Sequence, residues 1–256
     1  MHILLTNDDG VDAPGLLALA QAMRTMAEVS VLAPDHNWSA SGHVKTLDRP
    51  LRVWPTAMAD GVTATATDGA PSDCVALALL GLVERPIDLV VSGINPHANI
   101  GHDVTYSGTV TAAMEAVIAG LPALAISLDS VEAPSSVEAF RTAADVACRL
   151  AKRVLEDKLP PTTLLNVNVP LRRREDLRGI ALTRQGSHTY RDSLVRREDP
   201  RGRPYYWIGG EASTGIPEEG TDGWALEEGF VSVTPLQLDL TAYSALETLR
   251  ALTFSL

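Results

Sequence analysis

Two adjacent carboxylates, Asp8 and Asp9, end an apolar run that begins at the second residue, in Ile3-Leu4-Leu5-Thr6-Asn7-Asp8-Asp9-Gly10. Neighbouring carboxylates repel, so keeping both ionised favours a cation between them, and hard oxygen ligands suit Mg²⁺ or Mn²⁺. Taken alone, an Asp9-Gly10 turn with Asp8 as an ordinary cap accounts better for the pair. Its standing therefore rests on what else converges on it.

Three other stretches offer polar groups. Residues 34–43 (PDHNWSASGH) are rich in turn formers, and Ser39-Ala40-Ser41-Gly42 supplies hydroxyls and a backbone whose amides could face an anion, although a mobile surface loop reads equally well. Ser92-Gly93-Ile94-Asn95 makes a second polar tip, followed by a long loop to Ser107 holding Asn99, Gly101, His102 and Asp103. A structureless loop of that length is more often functional than not. Ser107-Gly108-Thr109 then opens a helix with Ser107 at the N-cap; its free amides and dipole suit a phosphate, with plain capping as the alternative. Among the loop histidines (His36, His43, His97, His102), His97 and His102 are candidates only for contacting substrate. Trp38 stacks a base or simply packs, and Asp68 and Asp73 read as capping residues.

The elements that must position these groups alternate as strand and helix. Residues 3–7 form a buried strand that carries its charge at the carboxyl end, where open α/β sheets place their ligands. Asp12 caps a helix with Pro14 near N1 and Leu16, Leu17, Ala20 and Met23 as its buried stripe, and residues 28–33 complete a right-handed βαβ unit. No Gly-x-Gly-x-x-Gly joins the first strand to that helix, which counts against a dinucleotide. Residues 51–54 and 62–67 read as a hairpin, 71–82 as an apolar helix capped near Ser72, and 87–92 as a strand. The helix from Ser107 carries Val110, Ala113, Met114, Val117 and Ile118 as its apolar stripe. Residues 123–128 are a strand, 137–152 an amphipathic helix, and 164–169 the strand that closes the core sheet. Three polar strand tips and one open helix start then meet on one sheet edge.

The expected fold is α/β: a doubly wound, mostly parallel, Rossmann-like sheet over 1–170, with an extension over 171–256. The extension holds the charge run 172–178, the TRQG stretch at Thr183, a projecting hairpin with Tyr205-Tyr206-Trp207, a Gly/Glu-rich loop, a strand at 230–234 and a terminal helix at 242–252. Three adjacent aromatics exceed what a lone exposed hairpin keeps, so they are expected to pack on a partner subunit.

The chain has 256 residues, a formal charge of −11 and 45% hydrophobic residues, ample for a large core. That acidity argues against a nucleic-acid polymer or an anionic membrane as main partner. No apolar run reaches membrane-spanning length and the start lacks a signal peptide's positive region. Cys74 and Cys148 fall in helical segments and read as buried free thiols, making the cytoplasm the default location.

Several separated motifs occur in one order: ILLTNDDG at Ile3, APDHNWSASG at Ala33, SGINPHANIGHDVTYSGTVTAAME at Ser92, LNVNVP at Leu165, TRQG at Thr183 and GTDGWALEEGFVSVTPLQLDLT at Gly220. Together they resemble the SurE family of survival-protein acid phosphatases, 5′/3′-nucleotidases and exopolyphosphatases, across essentially the whole chain. The resemblance implies one divalent metal per subunit, Mg²⁺ or Mn²⁺, on Asp8, Asp9, Ser39 and Asn95, and a phosphate pocket lined by Asn99, Ser107, Gly108 and Thr109, to which the reading of the residues adds Asn95, Ser41 and Gly42. It also implies homodimers or homotetramers that exchange the C-terminal projection. Pro96-His97 departs from the small, Gly-containing pair that often follows the metal-binding Asn, and Ala116 stands where Gly commonly follows the helix Glu.

Both readings lead to metal-assisted phosphomonoester hydrolysis, with Asp8 and Asp9 catalytic and either one able to serve as base; the resemblance alone implies nucleoside 5′- and 3′-monophosphates, and short polyphosphate, as substrates. A phosphatase with an aspartyl nucleophile needs an Asp-x-Asp spacing, and here the second position is Gly10. A nucleotide-sensing or chaperone-like module that binds phosphate without cleaving it is the non-enzymatic alternative. It gains nothing from two additional negative charges.

Overall fold

The computed structural model describes residues 1–187, 191–211, 218–250 and 252. Its strands and helices, in chain order, are β1 (His2–Thr6), α1 (Pro14–Met23), β2 (Glu28–Pro34), β3 (Val53–Ala57), β4 (Thr63–Thr67), α2 (Pro71–Leu77), β5 (Leu89–Asn95), α3 (Gly108–Ile118), β6 (Ala123–Asp129), α4 (Arg141–Asp157) and β7 (Thr163–Pro170). There follow β8 (Ile180–Leu182), β9 (Arg191–Glu198), β10 (Pro204–Glu211), α5 (Asp222–Glu227), β11 (Val231–Gln237) and α6 (Tyr243–Arg250).

Nine strands form one sheet in the order β3-β4-β2-β1-β5-β6-β7-β11-β8. The run from β4 to β7 is parallel, while β3 on β4 and β11 on β7 are antiparallel. This is the doubly wound, mostly parallel α/β architecture expected from the alternating elements. Because both faces of the central strands are covered, their sequences are apolar at nearly every position. The pleat sends alternate residues to opposite faces. Ile3, Leu5, Val91, Ile126 and Val167 meet α1 and α4, whereas Leu4, Val90, Ala125 and Leu164 meet α2 and α3.

Several local expectations are corrected. Helix α1 has Ala13 at its N-cap with no side-chain bond, so Asp12 does not cap it. The 71–82 helix stops at Leu77 and runs into a wide turn containing Gly81 at φ +117°. The Ser72 hydroxyl is buried without a partner among the described residues, and the N-terminal amide of Ala70 is satisfied by Asp73 instead, at 2.9 Å. The stretch after Asn95 contains a 3₁₀ turn at Gly101–Thr105, and another, Val137–Phe140, precedes α4. Ile118 is 61% exposed because α3 packs on both the sheet and α2, which turns Ala112 and Ala116 inward beside Ala113. Strand β7 does not close the sheet: β11 pairs with it and β8 lies beyond.

The C-terminal hairpin is present as β9 and β10, paired apart from the main sheet. Tyr205, Tyr206 and Trp207 are 41%, 53% and 63% exposed on it, a cost no other described element offsets. The charge run 172–178 lies at the surface. Of the Gly/Glu-rich loop, 212–217 lie outside the described residues, as does 251 of the expected terminal helix. Cys74 is buried and Cys148 half-buried, both as free thiols. No described helix is long and apolar enough to cross a membrane.

Candidate active site

The chain leaves β1 towards β2 on one side and returns to β5 on the other, so a crevice opens between the carboxyl ends of β1 and β5. Thr6 pairs with Ser92 across this junction, so Asp8 and Asn95, two and three residues further on, leave neighbouring strands at the same edge. Asn7 shapes the exit: its Oδ1 accepts from the Gly10 amide at 3.2 Å and its Nδ2 donates to the Gly10 carbonyl at 2.9 Å. Gly10, at φ +102°, is the left-handed residue this turn requires.

Asp8 is buried, and the first turn of α3 is built onto it. The Thr109 hydroxyl donates to Asp8 Oδ1, and the backbone amides of Thr109 and Gly108 face the same carboxylate. A methyl group on Gly108 would sit 2.7 Å from Asp8 Cβ, so only glycine permits this approach. Burial raises the Asp8 pKa, opposed chiefly by the Thr109 hydroxyl and then by these amides. The open helix start read from Ser107-Gly108-Thr109 is therefore already facing an anion of the protein itself. Ser107 is the N-cap, accepting from the Val110 amide at 3.1 Å, and keeps its hydroxyl proton to donate.

Asp9 is the more open of the pair, yet its Oδ2 is buried without a hydrogen-bond partner among the described residues. Burial, and then the charge on Asp8, push its carboxyl up to about 7. Its Oδ1 receives only a long bond from Asn37 Nδ2, at 3.3 Å. No basic side chain pairs with Asp8 or Asp9 among the described residues. An orphaned carboxylate oxygen beside a second buried carboxylate, with the Asn95 amide leaving the neighbouring strand at the same edge, is a donor set that fits a hard divalent cation.

The 34–43 loop reaches this pair through its backbone, the Trp38 amide donating to the Asp8 carbonyl at 2.7 Å. Asn37 Oδ1 accepts from the Ser39 amide at 2.7 Å, an Asx turn that presents the exposed Ser39. The amides of Ser41 and Gly42 are taken by the carbonyls of Trp38 and Tyr106, so this segment can offer a ligand its hydroxyls but not those amides. His43 and Lys45 then bond Glu115 of α3 at 3.1 and 2.7 Å, fastening the loop's far end. Asn37 was not among the residues singled out from sequence, although an Asn two places before a Ser is itself a turn signal.

Asn95 donates Nδ2 to the His97 carbonyl at 2.5 Å, leaving Oδ1 without a partner among the described residues. His97 is exposed, its Nδ1 donating to the Ser130 carbonyl at 3.0 Å, and His102 is also exposed. Asn99 is held by the sheet: its amide donates to Asn168 Oδ1 at 2.8 Å, its Nδ2 to Ser127 Oγ at 2.8 Å, and its carbonyl accepts from Asn166 and Asn168. Sequence reasoning missed Ser127, Asn166 and Asn168 as supports. Their signal was the Asn-x-Asn alternation in an otherwise apolar strand, which places two amides on one face. Asp68 and Asp73 are engaged locally, with Arg49 and Arg52 and with Thr46 and Ala70 respectively.

A family model described as survival protein SurE matches residues 3–192. The chain belongs to the SurE family. A protein named 5′-nucleotidase SurE from Chloroflexus aggregans is 52% identical over 250 residues, covering 98% of each chain. Another of that name from Syntrophotalea carbinolica is 51% identical over 258 residues, covering both chains completely. The crystal structure of the SurE protein from Aquifex aeolicus superimposes with a TM-score of 0.83 at 42% identity, covering 98% of each chain.

Proposed function

We propose that this SurE-family chain is a 5′-nucleotidase, a metal-dependent phosphomonoesterase acting on nucleoside 5′-monophosphates, with 3′-monophosphates and short polyphosphate as further substrates. The observation that carries this reading is the unpartnered, buried Asp9 Oδ2 beside Asp8 at the crevice between β1 and β5. The names of the relatives support the substrate class. Simple anion binding would be weakened by two carboxylates there, which disfavours a sensing or chaperone-like role.

Asp8, Asp9, Ser39 and Asn95 are assigned to one Mg²⁺ or Mn²⁺ per subunit, which when bound supplies polarisation of the phosphoryl oxygens and a more acidic water. Asp8 is held in one orientation by Thr109 and the α3 amides, which fits a fixed ligand. Asp9 Oδ2 has no such partner and is assigned the proton of the attacking water. The Ser107 hydroxyl, Asn99 and the loop hydroxyls Ser39 and Ser41, beside Gly108, Thr109 and Gly42, orient the phosphoryl group and offset its charge. Gly10 stands where an aspartyl-nucleophile enzyme needs its acid, which supports water as the nucleophile.

A core over 1–170 carries this chemistry, and the 171–256 extension is assigned to assembly of a homodimer or homotetramer in the cytoplasm. The deciding experiment is release of inorganic phosphate from adenosine monophosphate with Mg²⁺, with Mn²⁺ and with a chelator. Metal-dependent release supports the reading. Release unaffected by chelation, or tight nucleotide binding with no release, overturns it.

A further inference from the structure

The loop from Pro96 to Tyr106, between β5 and α3, is held near its start by Asn95 and Ser130 and at its end by the Gly42 amide, and at two points in its middle. Asn99 is fastened by the sheet. Gly101 is fastened by the C-terminal part of the chain: its amide donates to Asp222 Oδ2 at 2.8 Å, and its carbonyl accepts from Gln185 Nε2 at 2.9 Å. The other oxygen of Asp222 accepts from the Gly186 amide at 2.8 Å and from Gly223 at 2.9 Å. Asp222 is 1% exposed. A methyl group at Gly186 would lie 3.0 Å from Asp222 Oδ1, so the Asp222 side chain packs directly on the Gly186 backbone.

Ordinary capping does not explain this carboxylate. Asp222 opens the short helix α5, but Thr221 is that helix's N-cap, its hydroxyl accepting from the Trp224 amide. The Asp222 side chain instead faces two other segments, and the backbone zips those segments together: Arg184 donates to the Gly220 carbonyl and Asp222 to the Arg184 carbonyl, each at 3.0 Å. Gly101 begins the 3₁₀ turn that leads into the Ser107 cap and the Gly108-Thr109 turn on Asp8, and the Tyr106 carbonyl at its end receives the Gly42 amide. A shift at Gly101 is therefore passed to the helix entrance and to the 34–43 loop.

We propose that Asp222, with Gln185, is a positioning residue that clamps the 96–106 loop and so sets the phosphate side of the pocket from the root of the C-terminal hairpin. Its effect on turnover rests on the phosphomonoesterase reading above; the clamp itself does not. The oxygens assigned to the cation come from Asp8 and Asp9 in the turn after β1, from Ser39 and from Asn95, none of which Asp222 touches. Loosening the clamp therefore weakens substrate binding more than metal binding. In Asp222→Asn the amide nitrogen faces a backbone N–H where an acceptor stood, and losing a hydrogen bond to a charged group corresponds to roughly tenfold or more in an equilibrium.

The test compares parent, Asp222→Asn and Gln185→Ala. Hydrogen exchange of residues 96–106 is expected to accelerate in both variants, more in the first. For adenosine monophosphate, KM is expected to rise about tenfold in Asp222→Asn and less in Gln185→Ala, with kcat falling by less and the Mn²⁺ dissociation constant rising by less than KM. Gln185→Ala keeps the test decisive if the buried substitution prevents folding. Unchanged exchange in the loop, or an unchanged KM with kcat alone reduced, overturns the proposal. A parent that releases no phosphate sinks the functional reading, and the exchange measurement still decides the clamp.

Discussion

At the scale of single residues, the site separates two carboxylates that look alike in sequence. Asp8 is surrounded by donors and Asp9 is short of them. Replacing Asp9 by Asn should lower phosphatase activity by about a hundredfold or more even with saturating Mn²⁺, the size of one lost transition-state partner; steady-state kinetics with full activity retained would refute its role. Thr109→Val removes the hydroxyl from Asp8 Oδ1, and Mn²⁺ affinity by titration calorimetry should fall ten- to a hundredfold, as for other residues that orient a ligand. The raised Asp9 carboxyl also fixes a pH dependence. Between its ordinary value of 3.8 and about 7, the metal-free folded protein holds a proton that the unfolded chain has released. Stability of the metal-free protein should therefore fall as pH rises from about 4 to about 7, with Asp8 adding in the same sense. Saturating Mn²⁺ should reverse the slope, because the cation favours the ionised pair. Thermal melts across this range with chelator and with metal read both signs.

At the scale of elements, the edge where β1 and β5 meet depends on close backbone approach. A methyl group at Gly15 in α1 would lie 2.1 Å from the Ile94 carbonyl, backbone against backbone, with no flexible side chain to yield. Gly15→Ala should push α1 off β5, destabilise the protein by about 1–3 kcal/mol or more, and displace Asn95 next to Ile94. Denaturant unfolding checks the first effect and Mn²⁺ titration the second. Helix α3 has two constraints of the same kind, since it packs on the sheet and on α2 while its first turn receives Asp8. That explains its small residues and the exposed Ile118 better than a single apolar stripe does.

At the scale of the whole molecule, β8 and β11 join the main sheet while β9 and β10 stand apart from it. Exposed Tyr205, Tyr206, Trp207 and Ile208 on one short ribbon make an apolar surface suited to another copy of the chain. Sedimentation should give a dimer or tetramer at micromolar concentration, and Trp207→Glu should shift it towards monomer. A stable parent monomer would show that the hairpin serves another purpose.

The sequence alone determined the strand–helix alternation, the acidic pair at a strand's carboxyl end, and Ser107 as a helix cap, because these follow from local periodicity and from what a side chain can do to its own backbone. It also carried the ordered motifs of the family. The tertiary structure alone decided which donors meet Asp8, that the Ser41 and Gly42 amides are taken, and that Asp222 reaches Gly101. Those contacts join residues far apart in the chain, and their polarity depends on burial and register. A one-residue pattern does not encode either quantity, so Asp12 and Ser72 looked like caps until packing placed Ala13 and Ala70 at those ends.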